Sequence, residues 1–201
     1  MLSLSVVTAL SRPQNAESLA KCVYASTRPL PGCWYIVRDP LKAPEHVPMP
    51  PPTYQDWTTN EFAAHPGGDA SGAPQKNAAL DQIPIDPDNW IYCLDDDNLL
   101  PVGFGLAVQE ALWQHPDAKI LVFSQVNHKG ELLRRAVPEN FAYRQIDCGQ
   151  FLVRADVVGG ERFLLNTYWS DWVFIRNLAA KVGLPVFVDK PTTFYNAIAG
   201  A

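Results

Sequence analysis

The chain has 201 residues, a formal net charge of −5 and a sequence pI of about 5.3. At about 150 residues per domain, this length predicts a single domain over residues 1–201. The acidic balance argues against a nucleic-acid partner, which requires a basic face. No stretch approaches the ~20 apolar residues of a membrane span, and a hydrophobic fraction of 47% excludes a wholly disordered chain.

The apolar segments alternate between strand-like and helix-like patterns along the chain. Strands are predicted over residues 4–9, 34–38, 90–94, 119–124, 150–154 and 186–188, and helices over 15–26, 73–83, 102–114 and 170–182. Asn15 is predicted to cap the first helix and Ser170 the last. Trp34, Trp90 and Trp113 are predicted to lie in the core. Alternation of this kind predicts an α/β sandwich with a mostly parallel sheet.

Residues 40–72 interrupt this alternation, because the segment is rich in proline and glycine. A loop of this length within a compact domain is usually functional or mobile. Tyr54 and Trp57 are predicted to anchor a short strand in its middle. They are also candidates for contact with a sugar.

The cysteine and histidine spacing indicates neither a disulfide framework nor a zinc site. Cys22, Cys33, Cys93 and Cys148 lie far apart without a C-x-x-C pair, and are predicted to be small buried apolar residues. The histidines form no H-x-x-x-H pair. The N-terminal apolar run follows no Lys or Arg, so it is interpreted as a first strand rather than a signal peptide. A reducing, cytoplasmic setting is the prediction.

The motif with the clearest chemistry is Asp95-Asp96-Asp97-Asn98, which directly follows the apolar run WIYCL. In an open α/β sheet, ligands bind beyond the carboxyl ends of the strands, where this motif falls. Adjacent carboxylates repel one another, so a site that keeps them ionised favours a cation. A hard, oxygen-liganded ion such as Mg²⁺ or Mn²⁺, itself carrying phosphates, satisfies the arrangement. The alternative is a solvated acidic turn before the next helix.

Five segments, in order, resemble those of GT-A-fold glycosyltransferases, close in pattern to the inverting family 2. They are VVTALSRPQNAESLAKCV, WYIVRD, GAPQKNAALD, WIYCLDDDNLLP and VVGGERFLLNTYWSDWVFIRNLAAKVG. The DDDN string with Ser-Arg-Pro also resembles the glucuronyltransferases of the same fold. The resemblance implies a GT-A-like (nucleotide-diphospho-sugar transferase) α/β/α sandwich with a mostly parallel mixed sheet.

On the donor side, the resemblance implies a role for each of five residues. Asp39 would accept hydrogen bonds from the uracil or the neighbouring ribose. Lys76 would lie near the nucleotide or its diphosphate. Asp95 and Asp96 would meet the ribose and the surroundings of the metal, and Asp97 would ligate the metal, Mn²⁺ or Mg²⁺.

On the acceptor side, the resemblance implies that Asp171 is the general base that deprotonates the acceptor hydroxyl. Tyr168 and Trp169, just before it, are candidates for stacking on an acceptor sugar. The alternative for Asp171 is a first-turn acid favoured by the helix dipole. The chain departs from the family by having Ser170 where a Glu is usual, and by having no His after His128 to serve as a third metal ligand.

The predicted function is transfer of a sugar, with inversion, from a nucleotide-sugar to a saccharide or other hydroxyl acceptor. A UDP-sugar is the favoured donor. Two alternatives stay open. One is a metal-dependent nucleotidyltransferase, although the loop LSRPQNAES lacks the Gly-rich, basic character expected of one. The other is a catalytically silent nucleotide-sugar binding module.

Overall fold

The computed structural model describes residues 1–47, 56–64 and 72–198. The strands are β1 (Ser3–Leu10), β2 (Gly32–Arg38), β3 (Trp57–Ala63), β4 (Asn89–Cys93), β5 (Ile120–Asn127), β6 (Leu132–Arg134), β7 (Phe151–Arg154) and β8 (Val186–Tyr195). The helices are α1 (Ala16–Ser26), α2 (Ala73–Leu80), α3 (Phe104–Gln114), α4 (Ala155–Val158) and α5 (Ser170–Val182).

The described strands form one mixed sheet in the order β3-β2-β1-β4-β7-β5-β6, with β8 paired to β5. The strands β3, β2, β1 and β4 are parallel, whereas β7 runs antiparallel to both β4 and β5. Val6, at the centre of β1, lies opposite Trp34 on β2 and Tyr92 on β4. The carboxyl ends of β1, β2 and β4 therefore meet at one edge of the sheet.

Helices cover both faces of this sheet, so the predicted α/β/α sandwich with a mostly parallel mixed sheet is confirmed. On one face, apolar residues of α2, α4 and α5 pack against side chains such as Val7. On the other face, α1 and α3 pack against Leu4, Val6 and Leu10. The inner strands β1, β2, β4, β5 and β7 are mostly buried and rich in apolar residues, because helices cover both of their faces. Each fully buried aliphatic or Phe side chain contributes about 1.5–3 kcal/mol to folding.

Several element boundaries match the sequence prediction, and others differ for local reasons. Helix α5 spans the predicted residues and ends before Gly183, whose φ of +98° suits glycine. Helix α3 starts at Phe104 instead of residue 102, after Gly103 with its φ of +86°. Strand β8 runs on to Tyr195 because it pairs with β5 along most of its length, and β6 was not predicted.

Of the two predicted caps, Asn15 is confirmed in position and Ser170 is wrong. Trp169, not Ser170, is the N-cap of α5, and the Ser170 hydroxyl is buried without a hydrogen-bond partner among the described residues. Asn15 does occupy the N-cap position of α1, but its side-chain amide donates to the Asp96 carbonyl at 2.7 Å. That contact ties the start of α1 to the acidic motif instead of capping the helix.

The segment 40–72 is not one continuous loop, because it contains β3. The predicted short strand at Trp57 is confirmed and extends over seven residues in register with β2. Tyr54 lies outside the described residues. The indole N–H of Trp57 donates to the Leu30 carbonyl at 2.7 Å, and the ring is buried, so its predicted contact with a sugar is wrong.

The burial of the tryptophans and cysteines agrees with the sequence prediction only in part. Trp34 and Trp90 are buried, but Trp113 is 83% exposed, so its assignment to the core is wrong. All four cysteines are free, with Cys93 and Cys148 buried. Within residues 1–47, 56–64 and 72–198, no helix combines the length and apolarity that crossing a membrane requires.

Candidate active site

A cleft of about 360 Å³ opens at the carboxyl edge of the parallel strands. This is the position at which open α/β sheets gather ligands, and residues that follow β1, β2 and β4 line it. The eight residues to which the family resemblance assigned donor, metal, base or acceptor roles all line it: Asp39, Lys76, Asp95, Asp96, Asp97, Tyr168, Trp169 and Asp171. The topology thus brings together groups that are up to 132 positions apart in the chain.

Asp39 lies at the end of β2 and is buried. Its Oδ1 accepts the backbone N–H of Leu41 at 3.0 Å, and the Lys42 ammonium lies 3.9 Å from its Oδ2. The carboxylate is therefore fixed on the cleft wall, with its second oxygen near the half-exposed Lys42 of the same turn.

Asp96 anchors the loop that follows β1. Its Oδ2 accepts the backbone N–H groups of Ser11 and Arg12 at 2.6 and 2.7 Å, and the Ser11 hydroxyl at 2.9 Å. Its Oδ1 accepts from the Arg12 guanidinium at 2.6 Å. Because protein donors occupy both oxygens, this carboxylate positions the cleft wall. A contact with ribose stays a prediction.

Arg12 also contacts Asp97, with its Nη1 2.8 Å from the Asp97 Oδ2. Burial and the charge of Asp95 raise the pKa of Asp97, and the Arg12 charge opposes them. An additional cation near Asp97 would therefore stabilise its ionised form. Sequence reasoning assigned no role to Arg12, although it stands in the Ser-Arg-Pro string.

Lys76 links the acidic motif to the predicted base. Its side chain is only 2% exposed, and its Nζ lies 3.2 Å from Asp95 Oδ1, 3.4 Å from Asp171 Oδ1 and 3.3 Å from the Cys148 sulfur. Burial alone would lower the pKa of Lys76, but the Asp171 and Asp95 carboxylates outweigh it and raise that pKa. The ammonium is thus a fixed cation between two carboxylates.

Asp171 stands in the first turn of α5 with its side chain 17% exposed to the cleft. Its Oδ2 accepts the Cys148 backbone N–H at 3.2 Å. Burial raises the pKa of Asp171 to about 6, with Lys76 lowering it and Asp147 raising it. A carboxylate with a pKa close to neutral pH can accept a proton and release it again, as a general base must.

Asp147 is a cleft residue that the sequence did not reveal, because it stands in no recognisable motif. It caps the short turn Cys148–Gln150, accepting the Gly149 N–H at 3.0 Å, and it accepts from Gln125 Nε2 at 3.2 Å. Burial, and then the Asp95 charge, raise its pKa.

The residues around Asp95 fit a hard divalent cation only in part. Ligand atoms of Asp95, Asp147 and Cys148 lie within 4.8 Å of one another. However, burial raises the pKa of the Cys148 thiol well above its ordinary value, and a protonated thiol does not ligate Mg²⁺ or Mn²⁺. Carboxylate oxygens are the ligands that these ions prefer, so within this group Asp95 and Asp147 are the fitting donors. The ligand role of Asp97 stays a prediction.

An aromatic wall closes the cleft beside Asp171. Tyr168 is 68% exposed, and its ring meets that of Trp169 edge-on at 5.1 Å. The Tyr143 ring lies 4.6 Å from Trp169, and the Arg144 guanidinium lies 4.5 Å above the same indole. Tyr143 and Arg144 were not predicted from the sequence.

No family profile and no curated protein matches this sequence, but solved structures do. TarS 1–349 from S. aureus superposes with a TM-score of 0.68 at 11% identity, covering 96% of this chain and 60% of that one. The same protein in complex with UDP gives a TM-score of 0.63 at 13% identity. The mannosyltransferase PcManGT from Pyrobaculum calidifontis, in complex with GDP-Man and Mn²⁺, gives 0.59 at 14% identity, covering 94% of this chain and 54% of that one.

These similarities establish the class of fold. TarS and PcManGT are GT-A-type glycosyltransferases, so the present chain has a GT-A-type fold, as its motifs indicated. The chain spans 60% or less of the length of these two solved structures.

Proposed function

We propose that the protein is a metal-dependent, inverting glycosyltransferase that moves a sugar from a nucleotide-sugar to a saccharide or other hydroxyl acceptor. The observation that carries this proposal is the buried Lys76 ammonium, 3.2 Å from Asp95 and 3.4 Å from Asp171. One cation thus joins the acidic motif to the proposed base, so a donor and an acceptor could meet within a single cleft.

A UDP-sugar is the proposed donor. Asp39 would accept from the uracil or ribose, and its fixed position at the end of β2 supports this role. The solved structures of TarS with UDP and of PcManGT with GDP-Man support a nucleotide in a cleft of this fold. The complex of TarS with UDP supports uridine as the nucleoside of the donor.

Asp97 and Asp95 would hold Mn²⁺ or Mg²⁺. When bound, the ion supplies positive charge that stabilises the departing nucleoside diphosphate. The raised pKa of Asp97 supports this assignment, since its crowded carboxylate favours an added cation. The complex of PcManGT with Mn²⁺ is further support.

Asp171 would take the proton from the acceptor hydroxyl as that oxygen attacks the anomeric carbon opposite the leaving group, which inverts the centre. Lys76 and the Cys148 N–H would hold the carboxylate in place. Tyr168 and Trp169 would offer ring faces to the acceptor sugar.

Replacing Asp171 by Asn tests this function against a silent binding module. Loss of a general base typically lowers turnover by about 10²–10⁴-fold, whereas UDP affinity should be unchanged. The matched control is Asp156→Asn, because Asp156 pairs with Arg154 at 2.7 Å and lies outside the cleft. Turnover that survives in Asp171→Asn would contradict the proposed base.

The proposed setting is reducing and cytoplasmic. Four free cysteines support it, since none of them is paired in a disulfide. Cys93 and Cys148 lie buried beside Lys76 or its partners, where a thiol packs as a small apolar group.

A further inference from the structure

The cleft contains a second group of residues to which the proposed transfer reaction assigns no role. Arg134, at the end of β6, and Arg144 both line the cleft, together with the rings of Trp169 and Tyr195. These four residues are called the arginine wall below.

The charges of the cleft single out these two arginines. Arg12 pairs with Asp97, Lys42 with Asp39, and Lys76 with two carboxylates. By contrast, in the part of the chain that the structure describes, neither Arg134 nor Arg144 forms an ion pair with a carboxylate. The charge of Arg134 does lower the pKa of the buried Asp147 at longer range. Arg144 is therefore the cation that an anion from outside would meet first, with Arg134 beside it on the same wall.

Aromatic rings hold both guanidiniums in place. The Arg144 guanidinium lies 4.5 Å from the Trp169 ring and 5.4 Å from the Tyr143 ring, and that of Arg134 lies 5.2 Å from the Tyr195 ring. A guanidinium stacked by its face keeps its N–H groups, at the edge, free to form hydrogen bonds. Arg134 donates one of its five N–H groups to Gln125, which leaves others for a ligand.

The backbone of Arg144 is also unusual. Its φ of +69° lies in the left-handed region, which a long side chain rarely adopts. Such conformations persist where the surrounding structure fixes them, and they are frequent at ligand sites. Here the conformation accompanies the placement of the guanidinium over Trp169.

We propose that the arginine wall binds an oxyanion, a carboxylate or a phosphate, carried by the acceptor, so that the acceptor is an acidic saccharide or a sugar phosphate. This inference rests on the proposed function. It assigns the anion to the acceptor because Arg144 stacks on Trp169, two residues before the proposed base Asp171. Arginine binds such groups through paired, charge-assisted hydrogen bonds.

The test is a ligand-observed NMR titration with three probes: methyl glucuronide, glucose 6-phosphate and the neutral methyl glucoside. Wild type and Arg144→Gln are compared, with and without UDP and Mn²⁺. Arg144→Lys keeps the positive charge but loses the paired N–H donors of the planar guanidinium, and should retain part of the preference for an acidic probe. The control is Arg135→Gln, since Arg135 is exposed, pairs with Asp189 at 2.6 Å and lies outside the cleft.

Wild type should bind at least one acid about 10-fold more tightly than the neutral sugar, and Arg144→Gln should lose that preference. The acid that responds identifies the group as a carboxylate or a phosphate. Equal binding of all three probes to wild type would overturn the proposal. So would a loss of UDP affinity in Arg144→Gln with the acid preference intact, which would assign the wall to the leaving diphosphate.

These titrations need no turnover, so they separate this inference from the proposed function. Wild type that binds an acid at the wall but transfers no sugar contradicts the transferase alone. Wild type that transfers sugar without any acid preference contradicts the arginine wall alone.

Discussion

Replacing Lys76 by Met removes the ammonium that lies between Asp95 and Asp171. In the wild type, the Lys76 charge lowers the pKa of Asp171 while burial raises it, with a net value of about 6. Removing the ammonium leaves burial and the neighbouring carboxylates, which all raise the pKa. If the reaction requires ionised Asp171, the rise of its rate with pH (the acid limb of the pH–rate profile) should therefore move to higher pH.

The distance sets the size of this effect. Two unit charges 3.4 Å apart interact by about 5 kcal/mol at an effective dielectric constant of 20. Asp95 shares the ammonium and the cleft admits water, so the realised effect is smaller, and an opposite charge at this range typically lowers a carboxyl pKa by ~1–3 units. If the acid limb of Lys76→Met lies near pH 8, roughly one tenth of Asp171 is ionised at pH 7. The rate at that pH would then be about 10-fold lower than in the wild type.

The assay is UDP release from UDP-glucose and UDP-N-acetylglucosamine between pH 5 and 9. Removing one partner of a buried ion pair costs about 3–5 kcal/mol, so the rates are measured well below a Tm lowered by roughly 6–20 °C. The control is Lys42→Met, since Lys42 is 55% exposed in the same cleft. An acid limb that stays in place in Lys76→Met would refute the coupling of these two groups.

Three further results follow from the geometry. Wild-type turnover should rise with pH through about pH 6, because burial holds Asp171 protonated below that value; a flat rate from pH 5 to 7 would contradict Asp171 as base. Asp96→Asn should lower the unfolding free energy by about 2–4 kcal/mol in urea, since Asp96 accepts four hydrogen bonds from the β1 loop; an unchanged midpoint would refute the anchor. Gly105→Ala should destabilise the protein although Ala favours helices, because a Cβ there would lie 2.0 Å from the Thr27 carbonyl oxygen. Gly160→Ala, where a Cβ meets no atom within 4 Å among the described residues, is its control, and equal stability of the two variants would count against the packing argument.

The sequence predicted the elements whose signals are local. Helix α5 has an apolar face and a terminal glycine, so both of its ends were placed correctly. Strand β6 has three residues and no alternation long enough to detect, and β8 extends past Pro191 because β5 pairs with it. That pairing is a tertiary effect, which no local pattern contains.

In the candidate site, too, the sequence revealed the residues that stand in local motifs and missed those that only the fold brings together. The motifs identified eight residues that do line one cleft, but they did not identify the partners of those residues. Lys76 meets Asp171 across 95 positions, and Arg12 meets Asp96 across 84. Asp147, Arg134 and Arg144 stand in no motif, so only the fold brings them to the cleft.

The most direct test of the proposed donor site is thermal unfolding with UDP, GDP, CDP and ADP, each with and without Mn²⁺, for wild type and Asp97→Ala. A nucleotide at ~100 times its Kd adds about 2.7 kcal/mol, which raises Tm by roughly 5–10 °C for a chain of this size. We expect a shift with UDP that requires Mn²⁺ and is lost in Asp97→Ala. No shift with any nucleotide would contradict the proposed donor site.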